Sequence, residues 1–116
     1  MLENNPFDSF DNIFMVKEFS KILRDDYEVM HFAICKETYN INFVSKRLGN
    51  CKDLAILAVM QNGLCLEYLS LKLRGDRDIV KIAIKQYPWV IRYASKELQE
   101  DKYINLYARR YLDNPC

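Results

Sequence analysis

The sequence predicts an all-α fold made of stacked helical-hairpin repeats of 25 residues, which form a short solenoid-like bundle. The main observation is that three residue types recur at a fixed 25-residue spacing, each in four copies. Within a copy, apolar residues lie three or four positions apart, which is the period of a helix. The chain has only three glycines and three prolines, too few for a turn-rich β architecture. The recurring residues are Ala33, Ala58, Ala83 and Ala108; Ser20, Ser45, Ser70 and Ser95; and Leu23, Leu48, Leu73 and Leu98.

The repeats fix the domain organisation. A chain of 116 residues is the size of one domain, so we expect a single helical repeat domain over residues 1–116. Neighbouring copies are expected to stack, because one copy alone buries too little apolar surface to be stable. The predicted units are an N-terminal helix at about 11–24, full repeats at 26–50, 51–75 and 76–100, and a C-terminal helix at about 101–112.

Each copy opens with a residue suited to starting a helix. Asp26, Asp76 and Asp101 directly precede helix-like runs, so their carboxylates are predicted to cap the first turn. Cys51 departs from this pattern in the second copy. There we expect Asn50 or Asp53 to supply the cap or the negative charge of the first turn.

The long helix of each copy is expected to end at a turn. An Asn-Gly pair at 62–63 and a Tyr-Pro pair at 87–88 hold the same position, and Thr38-Tyr39 is the version in the first copy. Gly63 permits a left-handed turn, and Pro88 suits the first turn of a new, shorter helix. The recurring Ser-x-x-Leu then follows, with the serine bonded to local backbone and the leucine filling the seam between copies.

Two stretches resemble a known repeat family. They are "DRDIVKIAIKQ" at residues 76–86, followed by "WVIRYASKEL", and "AVMQNGLCLEYLSLKLR" at residues 58–74. Both are similar to the helical repeat called domain of unknown function 4116. The resemblance extends over about residues 19–108. The first copy departs from the family pattern at residues 38–40, where Thr-Tyr-Asn replaces Asn-Gly-x.

The resemblance implies a protein that binds other proteins and has no catalytic activity. Members occur in protists, large viruses and intracellular bacterial pathogens. A short stand-alone member of similar layout inhibits effectors that deamidate or transglutaminate ubiquitin. By this resemblance we expect a regulator of such an effector, located in the cytoplasm or delivered into a host cytosol by a non-classical secretion system. The alternative is a general repeat scaffold or self-associating adaptor with an unrelated protein partner.

Composition argues against two other partner classes. The chain has 17 basic and 16 acidic residues, whereas proteins that bind a phosphate backbone usually carry a clear basic excess. Basic residues near the return segments keep nucleic-acid binding as a weaker alternative. The longest apolar run, Leu54–Met60, is too short to span a bilayer, and the N-terminus lacks the pattern of a signal peptide. We therefore expect neither a nucleic-acid partner nor a membrane partner.

No residue pattern predicts an enzyme, a metal site or a cofactor. His31 is the only histidine, and no motif places a catalytic partner beside it. The cysteines lack the close spacing of a zinc site and are expected to be unpaired, with Cys35 and Cys65 inside apolar segments. Acidic pairs such as Asp25-Asp26 fall at predicted helix starts, where the helix dipole favours them.

Aromatic residues concentrate near the C-terminus and predict a protein-contact patch. Tyr93 and Tyr107 occupy positions that are apolar in the other copies, so we expect them to fill the core. The remaining aromatic residues and a nearby arginine are of the types enriched at binding hot spots. A homodimer is a further expectation, because a short stack leaves an apolar end that two-fold symmetry would close. The predicted protein-binding residues are Tyr87, Trp89, Arg92, Tyr103 and Tyr111.

Overall fold

The structure is a computed structural model that describes residues 21–113, and within that range every regular element is helical. The predicted all-α fold is therefore confirmed. Of the helix predicted at residues 11–24, only the last turn falls among the described residues. The α-helices are α1 (Lys21–Arg24), α2 (Tyr27–Lys36), α3 (Lys52–Gln61), α4 (Arg77–Gln86), α5 (Lys96–Gln99) and α6 (Lys102–Asp113). The 3₁₀ helices are Thr38–Phe43, Gly63–Tyr68 and Pro88–Tyr93, with shorter turns at Leu48–Asn50 and Leu73–Gly75.

The helices form two layers. In one layer α2 contacts α3, α3 contacts α4, and α4 contacts α6. In the other, the three six-residue 3₁₀ helices contact one another in chain order. Equivalent helices begin 25 residues apart, as α3 at Lys52 and α4 at Arg77 do, so the period of the sequence is also the period of the helices.

The recurring alanines lie in the core. Ala33, Ala58 and Ala83 are fully buried, and Ala108 is 4% exposed. Alanine has no atoms beyond Cβ, which leaves room for a neighbouring segment to approach the helix. The carbonyl groups of the first three alanines accept the backbone N–H four residues later, at 2.8–3.0 Å. These bonds close the last turn of α2, α3 and α4.

The helix starts follow the predicted capping pattern. The carboxylates of Asp26, Asp76 and Asp101 accept backbone N–H groups from the first turns of α2, α4 and α6, at 2.9–3.2 Å. Cys51 precedes α3 and makes no capping bond through its side chain, although Asp53 places a negative charge in the first turn.

Two of the capping carboxylates are also tied to the preceding copy. Lys52 Nζ lies 3.1 Å from Asp76 Oδ2, and Arg77 forms the equivalent ion pair with Asp101. In the first copy, the position equivalent to Lys52 and Arg77 holds Tyr27 instead of a basic residue. The basic residue is therefore present where the next cap is an aspartate and absent where it is a cysteine.

The ends of the long helices differ from the prediction. No residue in 21–113 has a positive φ, so the left-handed turn that Gly63 permits is not formed. The residue that ends each helix is extended instead, with φ of −156° at Asn62 and −148° at Glu37. A Cβ at position 63 would lie 3.0 Å from the carbonyl oxygen of Ala83, so glycine is needed there because α4 passes close by. The first-copy equivalent of Asn-Gly is Glu37-Thr38, and its backbone turns in the same way.

Glutamine side chains join each copy to the one before it. Gln61 Nε2 donates to the carbonyl oxygen of Ile34 at 2.8 Å, and Gln86 Nε2 donates to that of Val59 at 2.7 Å. Gln86 Oε1 also accepts the backbone N–H of Gly63 at 2.8 Å. These carbonyl groups belong to the last turn of an α-helix, where no intrahelical partner is available. The glutamine of one copy thus completes the helix end of the previous copy.

The recurring Ser-x-x-Leu behaves as predicted. The hydroxyl oxygens of Ser45, Ser70 and Ser95 accept the backbone N–H of the leucine three residues later, at 3.1–3.2 Å. Leu48 and Leu73 are each 3% exposed. Burying a leucine side chain stabilises a fold by about 1.5–3 kcal/mol. The motif is therefore a structural seam between copies.

Replacing Gln86 with alanine is expected to lower the free energy of unfolding by about 1–2 kcal/mol, since two hydrogen bonds are lost at roughly 1 kcal/mol each. Chemical denaturation followed by circular dichroism measures the change. Lys85→Ala is the matched control, because Lys85 is exposed and adjacent, and its effect should stay within about 0.5 kcal/mol. Equal effects of the two substitutions would contradict the role of the glutamine.

Two cysteine-to-serine substitutions are expected to act with opposite sign. Cys51→Ser should stabilise the protein by about 0.5–1 kcal/mol, because serine can cap α3 from a residue already in extended conformation. Cys65 is 3% exposed, so Cys65→Ser should destabilise by about 1–3 kcal/mol through burial of a hydroxyl. Thermal unfolding of both variants checks the pair, and destabilisation by Cys51→Ser would refute the capping argument.

Candidate protein-binding face

The layer of 3₁₀ helices exposes a row of large apolar side chains. Tyr39, Leu64 and Trp89 hold the second position of the three helices and are 37%, 37% and 49% exposed. A 3₁₀ helix has three residues per turn, so a residue three positions later lies on the same side. Arg92 is therefore beside Trp89, as Glu67 is beside Leu64. We call the outward side of residues 38–43, 63–68 and 88–93 the 3₁₀ face.

An open cavity of about 700 Å³ lies on this face. Tyr39, Tyr68 and Tyr93 line it, together with Leu64 and the buried Cys65. The rings of Tyr39 and Tyr68 meet edge to face, with centroids 5.2 Å apart and planes at 89°. Aromatic rings in this arrangement attract each other, which fixes the wall of the cavity.

The cavity is electrostatically negative. Burial first, and then the charges of Glu37 and Glu67, raise the pKa of the Cys65 thiol to about 11. Burial and then the Glu67 charge also raise the pKa of Tyr68. Cys65 therefore remains a protonated thiol at neutral pH. It is an unreactive part of the wall, because the thiolate is the nucleophilic form.

His31 and Cys35 lie together on α2, which the sequence analysis did not predict. The Cys35 sulfur is 3.9 Å from His31 Nδ1, and both side chains are exposed, so the expectation that Cys35 lies among apolar residues is wrong. In sites for covalent catalysis, a third group commonly orients the base. The aromatic ring next to His31 is that of Tyr27, and the two ring centroids are 5.9 Å apart. Within residues 21–113, no three His, Cys, Asp or Glu side chains come together as a metal site would require.

The structure brings three of the five predicted binding residues together. Tyr87 is half-buried against the core, and its ring centroid is 5.1 Å from that of Trp89. The guanidinium carbon of Arg92 is 5.6 Å from the ring centre of Tyr93. Tyr87, Trp89 and Arg92 thus occupy the third-copy end of the 3₁₀ face. The exposure assumed for Tyr87 is only partial, whereas Trp89 and Arg92 are exposed.

The other two predicted residues lie on α6. Tyr103 is 72% exposed in the first turn, next to the cap formed by Asp101. Tyr111 is about 12 Å further along the helix, with its ring centroid 5.2 Å from that of Tyr107. Helices α4 and α6 hold equivalent places in the repeat. Tyr103 lies at the start of α6, whereas Tyr87, Trp89 and Arg92 follow the end of α4, so the two groups are at opposite ends of the α-layer. Tyr103 therefore lies apart from Tyr87, Trp89 and Arg92, whereas Tyr111 is equivalent to Gln86 at the end of α4.

Sequence reasoning missed the first two members of the apolar row. It treated Trp89 as a feature of the C-terminal end, although Tyr39 and Leu64 precede it by 50 and 25 residues. The same reasoning correctly assigned Tyr93 and Tyr107, which pack against the core. The sign available in the sequence was that this repeat position stays large and apolar in all three copies; its exposure is seen only in the structure.

Helix α6 carries polar residues at positions where α4 is apolar. In α4, Val80 and Ile84 are buried. The equivalent residues of α6, 25 positions later, are Asn105 and Arg109, and both are exposed. The amide of Asn105 donates to the carbonyl oxygens of Gln99 and Asp101, at 2.7 and 2.9 Å. Leu106 and Leu112 remain exposed. The apolar end assumed for a homodimer is thus polar at two central positions, and the homodimer stays a prediction.

No helix within the described part of the chain has both the length and the apolar character needed to cross a membrane.

The comparison with protein families gave a match to the family described as Domain of unknown function (DUF4116), over residues 26–74 and again over 51–99. The two matches are offset by 25 residues, which is the repeat length of the helices. Searches of curated proteins and of solved structures found no match.

Proposed function

The chain belongs to the DUF4116 family, and we propose that it is a non-catalytic module that binds another protein through its 3₁₀ face. The observation that carries this proposal is the row formed by Tyr39, Leu64 and Trp89, which are large, apolar and exposed in all three copies. Tyrosine and tryptophan are among the residues most enriched at binding hot spots. The α-layer behind the face holds the row in place.

The groups that line the cavity support binding over catalysis. In the cavity, the thiol of Cys65 stays protonated because its pKa is raised to about 11. The remaining lining groups are mainly aromatic rings, two carboxylates and amide or hydroxyl groups. Such a surface offers shape, apolar area and charge, which are the properties that a protein partner recognises.

The more specific proposal is that the partner is a ubiquitin deamidase or transglutaminase effector of an intracellular pathogen. It rests on the resemblance to the stand-alone family member that inhibits such enzymes. In this scheme the 3₁₀ face covers part of the enzyme surface and blocks access of ubiquitin. Inhibition then needs no chemistry from this chain, in keeping with the absence of a reactive thiol in the cavity.

Co-purification of the chain with a purified deamidase and a purified transglutaminase tests the specific proposal. A stable complex should form, and ubiquitin modification should fall at micromolar concentrations of the chain. If neither enzyme is bound or inhibited, the specific proposal fails, while binding of another protein through the 3₁₀ face is tested by the variants below.

Trp89→Ala is expected to weaken the complex by about 2 kcal/mol or more, roughly thirtyfold in Kd, as loss of a hot-spot aromatic does. Isothermal titration calorimetry measures the change, and circular dichroism verifies that the fold is kept. Tyr103→Ala is the matched control, because Tyr103 is an even more exposed aromatic residue on the other layer. Loss of binding with Tyr103→Ala, but not with Trp89→Ala, would place the interface elsewhere.

A further inference from the structure

We infer that the cavity of the 3₁₀ face receives a basic side chain, lysine or arginine, from an exposed segment of the partner. This inference rests on the proposed protein-binding function and specifies the chemistry of the partner. It is carried by aromatic walls, open volume and two carboxylates that form no ion pair within residues 21–113, all at one place.

The aromatic walls supply the first element of a cation site. The rings of Tyr39 and Tyr68 stand edge to face at 5.2 Å, and Tyr93 lines the same cavity. The faces of aromatic rings attract ammonium and guanidinium groups. Tyr93 already shows this behaviour within the protein, because the Arg92 guanidinium lies 5.6 Å from its ring centre.

Two carboxylates supply the second element. Glu37 and Glu67 line the cavity, both are exposed, and neither forms an ion pair or side-chain hydrogen bond with another residue of 21–113. They are 30 positions apart in the chain, so the fold, and not local sequence, brings them to one cavity. Their negative charges act inside the cavity, since both raise the pKa of the Cys65 thiol. An incoming cation would give each carboxylate the partner that it lacks.

The basic residue that the chain itself places at the cavity is Lys36, and it is engaged elsewhere. Its ammonium nitrogen lies 5.4 Å from the ring centre of Phe32, one turn back along α2. The two carboxylates therefore outnumber the one lysine. A cavity of about 700 Å³ can also take a long side chain and part of its backbone. Leu64 and the neighbouring row then contact apolar residues that flank the basic one.

The test uses the full chain, labelled with ¹⁵N, and a capped Ala-Leu-Lys-Leu-Ala peptide as the probe. Saturable shifts are expected at backbone amides of residues 37–39 and 64–68. The matched peptide with norleucine in place of lysine should bind at least about fivefold more weakly, because it keeps the apolar length and loses the charge. Raising the salt concentration should weaken the lysine peptide alone.

Variants assign the effect to the carboxylates. Glu37→Gln and Glu67→Gln should each weaken binding of the lysine peptide by about 1.5- to fivefold, the range for an exposed ion pair. Glu97→Gln is the control, because Glu97 is exposed on α5 and does not line the cavity. Equal binding of the two peptides, shifts confined to other residues, or no saturable shift at about 10 mM peptide would overturn the inference.

The same variants separate this inference from the proposed function. If Trp89→Ala abolishes the complex with the partner enzyme while the Glu37→Gln, Glu67→Gln double variant leaves it unchanged, the binding face stands and the basic side chain is refuted. If both variants weaken the complex, both statements hold. If the lysine peptide binds at the cavity but Trp89→Ala has no effect on any complex, the cavity site survives and the proposed use of the apolar row fails.

Discussion

The fold depends on how the carbonyl groups at the end of each long helix are satisfied. An α-helix leaves its last carbonyl groups without intrahelical partners. Here the carbonyl groups of Ile34 and Val59 accept hydrogen bonds from Gln61 and Gln86, which belong to the next copy. Ending a helix and stacking a repeat are therefore the same interaction. The chain can then turn directly into a 3₁₀ helix, and Gly63 supplies the clearance that this contact needs.

This constraint divides each repeat into fixed and variable positions. The recurring alanines and leucines are buried, so packing determines these side chains. The recurring serines accept backbone N–H groups, so hydrogen bonding determines them. The outward positions of the 3₁₀ helices are free of such demands. The apolar row changes from Tyr39 through Leu64 to Trp89, and the position beside it changes from Asn42 through Glu67 to Arg92. The face therefore offers different chemistry along its length, negative near the cavity and positive beside Trp89.

Much of the architecture could be predicted from the sequence because the repeat exposes it. Helical periodicity, the capping aspartates and the serine–leucine seam are local features, and local features can be read from spacing. The turn at Gly63 could not be predicted, because the glycine is required by a close approach of Ala83, twenty residues later in the chain. Two features of the candidate site also depend on which side of a 3₁₀ helix faces solvent. One is the meeting of Glu37 and Glu67, and the other is the apolar row of Tyr39, Leu64 and Trp89. That side is decided by tertiary packing, so the candidate site was only partly predicted.

The central claim is that the 3₁₀ layer is the binding surface and the α-layer is its support. A photo-cross-linking amino acid, p-benzoylphenylalanine, placed at position 64 on the 3₁₀ face or at position 106 on α6 tests this claim directly. Both positions hold exposed leucines, so neither replacement disturbs the core. With the purified partner enzyme, the account predicts a strong cross-link from position 64 and little from position 106. A cross-link from position 106, with none from position 64, would contradict it.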